Sequence, residues 1–598
     1  MRIGADTGGT FSDLVDDRGR VTKVLSTPSA PDDAIRAGVD QLTDEPPELL
    51  AHGTTVATNA VLEAALAPVA LVTTEGLADV IEIGRQDRSS LYDQWADRPP
   101  VLVPRSRRFE VTGRLAADGR ELVPIDPSSL PELPTDAVVA VCLLHADLAP
   151  VHEQAVADHL RASGYEVVTS HESSPEFREF ERTVTTVVDA GLRPLCRDYL
   201  RRLGDLAGEV SVMTSAGGLL DAATAAEHPA SLLLSGPAGG VRAAAAVAVA
   251  CGHPDAITFD MGGTSTDVCL VQDGQPALAT TRHVGGYPVR FPSIDIHTIG
   301  AGGGSIARID TGGALVVGPE SAGADPGPAC YGAGGTQPTV TDANVVAGRI
   351  PAEASFGSLA LDAEAAGRAL VDAGLDAEGV LRVVDANMVR ALRAVSVERG
   401  VDPADLALVA FGGAGALHAC SLADQMGMAT VIVPPRAGVL SAVGLLAAPP
   451  RREAVRSRPA PADLDQLDAD LAEVADDARV LAGDHVDVHV DVALDCRYRG
   501  QSHELTVSDL RGFHAEHERR NGFARPEAPV EVVAVRATAQ RPGALDVASL
   551  SVPEHRARFE SGDGPRVVAE PDCTIWLADG WRATLGPTGA LVLRRAGA

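Results

Sequence analysis

Short apolar runs alternate along most of the chain with stretches that favour helices. The runs at 138–144 and 406–411 carry almost no polar side chain, as is typical of strands that are buried on both faces of a sheet. Between such runs, helices are predicted over 150–163 and 176–195. Strands that alternate with helices indicate an α/β fold.

Two of the predicted strands lead into the same short motif. Residues 3–10 and 257–264 each consist of an apolar run, an aspartate, one spacer residue and Gly-Gly-Thr. A second apolar run, at 11–15 or 268–271, follows each motif and predicts the return strand of a hairpin. One such motif alone is as often a tight turn as a phosphate site. The duplication favours a nucleotide held between two lobes.

This interpretation assigns candidate metal and phosphate contacts. We expect Asp6 and Asp260 to hold Mg²⁺ through its waters and to orient the phosphoryl acceptor, the alternative being that each caps a turn. Glycine amides approach an anion closely and hydroxyl groups complete such a cradle. The expected cradle consists of Thr7, Gly8, Gly9, Thr10, Gly262, Gly263, Thr264 and Thr266. Neither motif is a Walker loop, and Lys23 is the only lysine of the chain.

Two further glycine clusters are candidates for ligand contact. The strand at 406–411 ends in a glycine turn before a predicted helix, which favours contact with the adenosine part of a nucleotide; a structural turn is the alternative. The glycines of that turn are Gly412, Gly413 and Gly415. In the segment 299–305, Gly302 and Gly303 are expected to let the backbone approach the substrate, and a flexible surface loop is the alternative.

Polar residues of a turn that precedes a predicted helix are candidate substrate contacts. They are His52, Thr54, Thr55 and Asn59, which suit hydrogen bonds to an amide or imide. The alternative is a helix-capping turn with a core histidine. Arg85 and Arg88 are candidates for holding a carboxylate or developing phosphate charge, or are solvated arginines on a loop.

A second metal site is predicted from three potential ligands. Asp295, His297 and Cys330 offer a carboxylate, an imidazole and a thiol, a set that suits Zn²⁺ if the three converge. The sequence leaves two other roles open for His297. It is either a catalytic residue that polarises the substrate or a core histidine.

Composition limits the partners and the number of domains. A length of 598 residues exceeds what one core usually supports, and we predict segments 1–174, 175–450 and 451–598. The formal charge of −32 argues against nucleic acid and anionic membranes as partners. We expect a cytoplasmic protein, because no apolar run of about 18 residues and no signal segment is evident.

Eight segments resemble the hydantoinase A/5-oxoprolinase family. They are 52–59, 83–86, 170–172, 181–188, 235–240, 295–305, 321–332 and 411–415. The resemblance covers about residues 2 to 450 and implies an actin-like (ribonuclease H-like) fold of two ATPase lobes. In this family, 1–174 corresponds to the N-terminal lobe, 175–450 to the main lobe, and 451–598 to a smaller mixed α/β domain.

The resemblance also implies an activity. Members use ATP to phosphorylate the carbonyl oxygen of a cyclic amide such as hydantoin, N-methylhydantoin or 5-oxoproline. The ring then opens with a separate hydantoinase B subunit, so a homo- or hetero-oligomer is expected. Related acetone and acetophenone carboxylases make a ketone the alternative substrate. A third alternative is a non-enzymatic actin-like ATPase that reactivates a partner protein.

Overall fold

Two lobes with the same strand order form the body of the protein. The computed structural model describes residues 1–8, 11–27, 30–351, 355–356, 359–458, 464–483 and 487–596. Two of the predicted cradle residues, Gly9 and Thr10, therefore lie outside the described residues.

The first lobe opens with three antiparallel strands followed by a parallel one. Strand β1 pairs with β2, β2 pairs with β3, and β4 lies parallel to β1. The elements are β1 (Arg2–Thr7), β2 (Phe11–Asp16), β3 (Val21–Leu25), α1 (Pro31–Leu42), β4 (Leu49–Gly53) and α2 (Val56–Leu62).

A second sheet is inserted into this lobe after α2. Four of its five strands are parallel, and their order is β7-β6-β5-β8-β9. The elements are β5 (Val69–Thr74), α3 (Val80–Ile83), β6 (Arg108–Leu115), β7 (Glu121–Asp126), β8 (Val138–Cys142), α4 (Val151–Ala162), β9 (Val167–Thr169) and α5 (Ser170–Ser173).

The chain then returns to the first sheet. Strand β10 lies parallel to β4, so the six-stranded sheet has the order β11-β10-β4-β1-β2-β3. The elements are α6 (Glu179–Leu203), β10 (Glu209–Met213), β11 (Leu219–Asp221), α7 (Ala222–Glu227) and α8 (Ala238–Ala250).

The second lobe repeats this arrangement. The strands β14-β13-β12-β22-β23 follow the same sequence of two antiparallel and two parallel pairings. This repetition confirms the actin-like fold. The elements are β12 (Ala256–Met261), β13 (Thr266–Gln272), β14 (Gln275–Pro276), β15 (Leu278–Val284), β16 (Tyr287–Ile294), β17 (His297–Ile299), β18 (Ser305–Ile309), β19 (Leu315–Ser321), α9 (Val340–Val346), β20 (Ser355–Phe356), β21 (Leu359–Ala360), α10 (Ala363–Asp372), α11 (Ala377–Val395), β22 (Ala407–Phe411), α12 (Gly415–Met426), β23 (Thr430–Val433) and α13 (Leu440–Ala447).

The C-terminal part contributes to two sheets. Four strands form a separate sheet of order β24-β27-β25-β26, whereas β28, β31 and β32 extend the sheet of the second lobe through β23. Strand pairing therefore crosses the predicted segment boundaries at 174 and 450. The elements are β24 (Arg451–Ser457), α14 (Leu467–Ala482), β25 (His489–Tyr498), β26 (Leu505–Val507), α15 (Phe513–Asn521), β27 (Val530–Gln540), α16 (Glu554–Ala557), β28 (Gly562–Asp563), β29 (Arg566–Ala569), β30 (Thr574–Leu577), β31 (Trp581–Leu585) and β32 (Leu591–Arg595).

A buried ion cluster attaches the C-terminal sheet to the first lobe. Glu176 contacts Arg290 at 2.7 Å and Arg536 at 2.6 Å, and Arg536 also pairs with Asp495 at 2.7 Å. Removing one partner of such a buried group leaves an uncompensated charge, which is strongly destabilising. The cluster therefore fixes how the sheet of β24 to β27 sits on the lobe.

Two helices built partly from small residues connect the lobes. Helices α8 and α13 pack against each other so closely that a Cβ on Gly444 would overlap the carbonyl of Gly239. Helix α13 leaves the second lobe and packs on β1 of the first, while α8 packs on β12 and β22. In the described part of the chain, no helix combines the length and apolar character needed to cross a bilayer.

Candidate functional site

Each lobe presents a pair of carboxylates on its first hairpin. Asp6 on β1 is the cross-strand partner of Asp13 on β2, and Asp260 on β12 is the partner of Asp267 on β13. Asp13 and Asp267 are not among the residues predicted from the sequence. Both lie seven residues after the first aspartate, so an extended motif, Asp-x-Gly-Gly-Thr-x-Ser/Thr-Asp, would have found them.

The four carboxylates share one electrostatic environment. Burial, followed by the charge of Asp13, raises the pKa of Asp6 to about 7. Burial raises the pKa of Asp267 to about 6 and that of Asp13 above its usual range. Burial also raises the pKa of Asp260 well above its usual value, and the charges of Asp267, Asp6 and Asp13 add to the effect. Because the charges of Asp6 and Asp13 act on Asp260, the carboxylates of the two hairpins lie near one another.

Equivalent backbone hydrogen bonds close the two hairpins. The amide of Gly8 donates to the carbonyl of Phe11 at 3.0 Å, and the amide of Gly262 donates to that of Ser265 at 3.1 Å. These two predicted cradle glycines thus close the turns with their own amides. The Cβ position of Gly263 faces open space, and Thr264 beside it is exposed.

A buried hydroxyl group without a partner lies in the first turn. Thr7 is 5% exposed, and its Oγ1 makes no hydrogen bond to any residue that the structure describes. An orphaned buried hydroxyl is costly unless a ligand or water satisfies it. Together with the open backbone around Gly263, it fits the oxygens of a polyphosphate. The four facing carboxylates fit a divalent cation that prefers oxygen ligands, such as Mg²⁺.

Glycines keep the two central carboxylates accessible. A Cβ on Gly53 would lie 2.8 Å from Oδ1 of Asp6, and one on Gly412 would overlap Oδ1 of Asp260. Gly412 also has a φ of +78°, which disfavours any side chain. Gly413 borders open space, whereas Gly415 packs the start of α12 near the carbonyl of Phe259. Only Gly413 of the predicted adenosine-side glycines thus borders open space.

The glycine loop after β17 supports the second turn. A Cβ on Gly302 would lie 2.6 Å from the carbonyl carbon of Gly263. The amide of Gly303 donates to the carbonyl of Gly262 at 3.0 Å, and Thr266 Oγ1 donates to the carbonyl of Ala301 at 2.5 Å. The structure therefore places Gly302, Gly303 and Thr266 behind the candidate phosphate turn.

His52 lies in the core instead of the cleft. Its Nδ1 donates to the carbonyl of Ala5 at 3.0 Å, and its Nε2 accepts from the hydroxyl of Tyr199 at 2.7 Å. Burial lowers the pKa of His52 to about 4, so the ring is neutral. Both ring nitrogens are occupied, and the residue fixes β1 immediately before Asp6.

The other predicted substrate residues are dispersed. Thr54 is buried, Thr55 precedes α2, and Asn59 is exposed with its amide 3.4 Å from Thr55 Oγ1. Arg85 donates two hydrogen bonds to Glu181, so its guanidinium is already paired with a carboxylate of the protein. Arg88 lies on an exposed loop.

The predicted second metal site is wrong. Asp295 forms ion pairs with Arg282 and Arg399, each at 2.6 Å. Its carboxylate is therefore neutralised by two guanidinium groups of the protein and not by a metal ion. His297 is exposed on β17, and Cys330 is buried in an apolar cluster. Among the described residues, the group with metal-ligand spacing is Glu570, Asp572 and Cys573, where the buried Arg556 pairs with Glu570. Thr298, next to His297, contacts the cleft instead by donating to Asp267 Oδ1 at 2.5 Å.

Comparisons with known proteins agree with this architecture. The family model for the hydantoinase/oxoprolinase N-terminal region matches residues 2–164, and the model for hydantoinase/oxoprolinase matches residues 182–454. The chain is 34% identical to caprolactamase subunit alpha of Pseudomonas jessenii, over 99% of both chains. It is 33% identical to the acetophenone carboxylase gamma subunit of Aromatoleum aromaticum, over 74% of this chain and 67% of the other. The crystal structure of ATP-dependent caprolactamase from Pseudomonas jessenii matches with a TM-score of 0.85 and 30% identity, and the match covers 100% of both chains.

Proposed function

The chain belongs to the hydantoinase/oxoprolinase family, and from this premise we propose that it is the ATP-using subunit of a cyclic amide hydrolase. The observation that carries the proposal is the pair of facing hairpins, each with two carboxylates opposite one another on neighbouring strands. A relative that is 34% identical over nearly the whole chain is named a caprolactamase subunit, which favours a lactam or a related cyclic amide as substrate.

In this proposal, ATP binds across the cleft with its phosphates between the two turns. The hydroxyl of Thr7 and the backbone around Gly263 and Thr264 bind phosphate oxygens, and the open backbone at Gly413 lies toward the adenosine. The carboxylates of Asp6, Asp13, Asp260 and Asp267 would hold Mg²⁺, directly or through water. When bound, that ion would offset phosphate charge and align the phosphoryl group.

The chemical step converts an unreactive amide into an activated one. The carbonyl oxygen of the substrate attacks the γ-phosphorus, and the bond from phosphorus to ADP breaks. Water then adds to the former carbonyl carbon, and the ring C–N bond breaks as the nitrogen takes up a proton. The product of this step is an acyl phosphate. A second water molecule adds to its acyl carbon, the C–O bond to phosphate breaks, and the free carboxylate and phosphate leave. In this proposal Asp6 or Asp260 orients the phosphoryl acceptor.

A second subunit, of the hydantoinase B type, completes the reaction in this proposal. The loop between α3 and β6 offers a surface for it, because it exposes Leu91, Tyr92 and Trp95. Tyr92 is 98% exposed and Trp95 is 82% exposed, in a chain with only 3% aromatic residues. Large exposed aromatic side chains are enriched at protein interfaces.

Ketone carboxylation is the second candidate function. It is favoured by the 33% identity to an acetophenone carboxylase gamma subunit. Both reactions use ATP to activate an oxygen, so the same cleft serves either one. Dependence of ATP turnover on bicarbonate and a ketone, without response to any cyclic amide, distinguishes the carboxylase.

A turnover screen tests the proposal. Release of phosphate from ATP is measured with caprolactam, hydantoin, N-methylhydantoin, 5-oxoproline or acetone, each with and without the co-expressed hydantoinase B-type protein. We expect one cyclic amide to stimulate turnover. Asp260→Ala should abolish it, whereas Asp273→Ala, at the exposed far end of the same hairpin, should not. Turnover that responds only to a protein, and never to a small carbonyl compound, would overturn the proposal in favour of a reactivating ATPase.

A further inference from the structure

We infer that Lys23 is a catalytic residue whose ammonium group contacts the phosphoryl group as it moves from ATP to the substrate. This inference rests on the proposed function and adds a cation to a site that is otherwise acidic. It concerns a residue of β3, the third strand of the first lobe.

The composition of the chain singles out this position. Of the 50 basic residues, 49 are arginines, and Lys23 is the single lysine. Arginine therefore serves wherever the chain needs a surface charge, an ion pair or a buried cation. Lysine at a single position of such an arginine-rich chain points to a property that arginine lacks. Lysine differs by its compact ammonium on a flexible stem, whereas the guanidinium is a planar fork.

The location of Lys23 supplies the second observation. It is the cross-strand partner of Asp13, and its Nζ lies 2.6 Å from Asp13 Oδ1. Nζ also lies 3.4 Å from the carbonyl of Gly438, which belongs to the second lobe. The ammonium group thus sits where the two lobes meet, next to the carboxylates that face the cleft. The side chain is 37% exposed.

Electrostatics of the cleft supports the same assignment. Lys23 lowers the pKa of both Asp6 and Asp13, against the effect of burial. No other cation among the described residues appears among the charges that act on the four carboxylates of the cleft. An incoming triphosphate would therefore meet Lys23 as a side-chain cation beside these carboxylates.

The proposed step follows from this geometry. As the bond between the carbonyl oxygen and the γ-phosphorus forms and the bond to ADP breaks, negative charge spreads over the phosphoryl oxygens. The ammonium of Lys23 turns from Asp13 toward these oxygens and stays protonated throughout. An arginine at this position would remain bound to Asp13 by two parallel hydrogen bonds, which is why it is not equivalent.

Selective labelling tests the contact without knowledge of the substrate. The probe is an acyl phosphate of ATP, in which a nearby amine attacks the acyl carbon, loses a proton and releases ATP. Because the chain has one lysine, peptide mass spectrometry reads modification of Lys23 directly, with the N-terminal amine as internal reference. We expect rapid acylation of Lys23 and protection by excess Mg·ATP. Equal labelling of Lys23 and the N-terminus, without protection, would overturn the inference.

Kinetics of three variants provide a second readout. Lys23→Gln should lower kcat by about 100-fold and Lys23→Arg by more than about tenfold, while the affinity for a fluorescent ATP analogue changes by less than about threefold. The matched control is Arg20→Gln, which removes an ion pair of the same length, 2.6 Å to Asp16, from the same hairpin but away from the cleft. It should retain full turnover.

The outcomes separate the two claims. If the wild type binds the nucleotide and turns over but both Lys23 variants keep normal kcat, this inference is wrong and the proposed function stands. If the wild type binds no nucleotide at all, both the inference about Lys23 and the proposed function are wrong.

Discussion

A side chain on Gly412 would overlap Oδ1 of Asp260. This relationship ties the end of β22 to the carboxylate at the end of β12, and Gly53 has the corresponding relationship to Asp6 in the other lobe. Each central carboxylate thus has room because a glycine lies at the end of the neighbouring parallel strand. Gly53 is the last residue of β4, and Gly412 directly follows β22.

Gly412→Ala is therefore expected to destroy nucleotide binding. The Cβ displaces the Asp260 carboxylate, and the positive φ of +78° adds strain. We expect at least a tenfold loss of affinity for a fluorescent ATP analogue, measured by titration. The matched control is Gly427→Ala, which has a similar φ of +73° but open space around the Cβ. It should lose only about 1 kcal/mol of stability and bind normally.

The raised pKa of Asp6 predicts how stability depends on pH. A carboxyl group with a pKa raised from 3.8 to about 7 holds its proton more tightly in the folded state. Stability of the ligand-free protein should consequently fall as pH rises from about 4 to about 7. Asp6→Asn should remove on the order of 3 kcal/mol of this penalty at pH 8.

Thermal unfolding at pH 5 and pH 8 measures this effect. Asp6→Asn should unfold at a higher temperature than the wild type at pH 8, and Mg·ATP should no longer stabilise it. Asp118→Asn, in an exposed turn, is the control and should behave like the wild type. A wild type whose stability rises steadily from pH 5 to pH 8 without ligand would contradict the prediction.

Tyr199→Phe tests the structural role of His52. The substitution leaves Nε2 of the buried imidazole without a donor, which should cost about 1–2 kcal/mol of unfolding free energy. Because His52 lies behind β1 and not in the cleft, KM for the cyclic amide should stay within about twofold. Denaturant titration and steady-state kinetics measure the two quantities. A large rise in KM with unchanged stability would contradict this prediction and indicate that His52 contacts the substrate.

Trp95→Ser tests the surface proposed for the second subunit. Loss of the exposed indole should weaken association by at least about tenfold, as expected for an aromatic anchor. Analytical ultracentrifugation of the mixed subunits gives the affinity, while nucleotide binding by the isolated chain should not change. Val480→Ser removes a similarly exposed apolar side chain, 79% exposed, from α14 and serves as the control. Equal association of both variants would exclude this loop.

The repeated sequence motif predicted the two lobes, but it did not predict every residue of the candidate site. The repeated motif correctly predicted both hairpins, because strand, turn and return strand are contiguous in sequence. Asp13 and Asp267 were missed because the repeat was followed only as far as Gly-Gly-Thr, although both copies continue with one variable residue, Ser or Thr, and Asp. The strand register then places each of them opposite the first aspartate.

Long-range contacts account for the remaining errors. The metal site expected at Asp295 fails because Arg399, more than 100 residues away, binds that carboxylate. Likewise, β32 joins the sheet of the second lobe through β23, although about 160 residues separate them. Neither a shift in composition nor a local hydrophobic periodicity indicates contacts between residues so far apart in the sequence.

The location of bound nucleotide tests the central claim most directly. A crystal structure with Mg²⁺ and a non-hydrolysable ATP analogue should show the phosphates between the turn at Thr7 and the turn at Gly263. The metal should then lie among Asp6, Asp13, Asp260 and Asp267. Phosphates bound elsewhere, or hairpins that do not contact the nucleotide or its metal, would contradict the account.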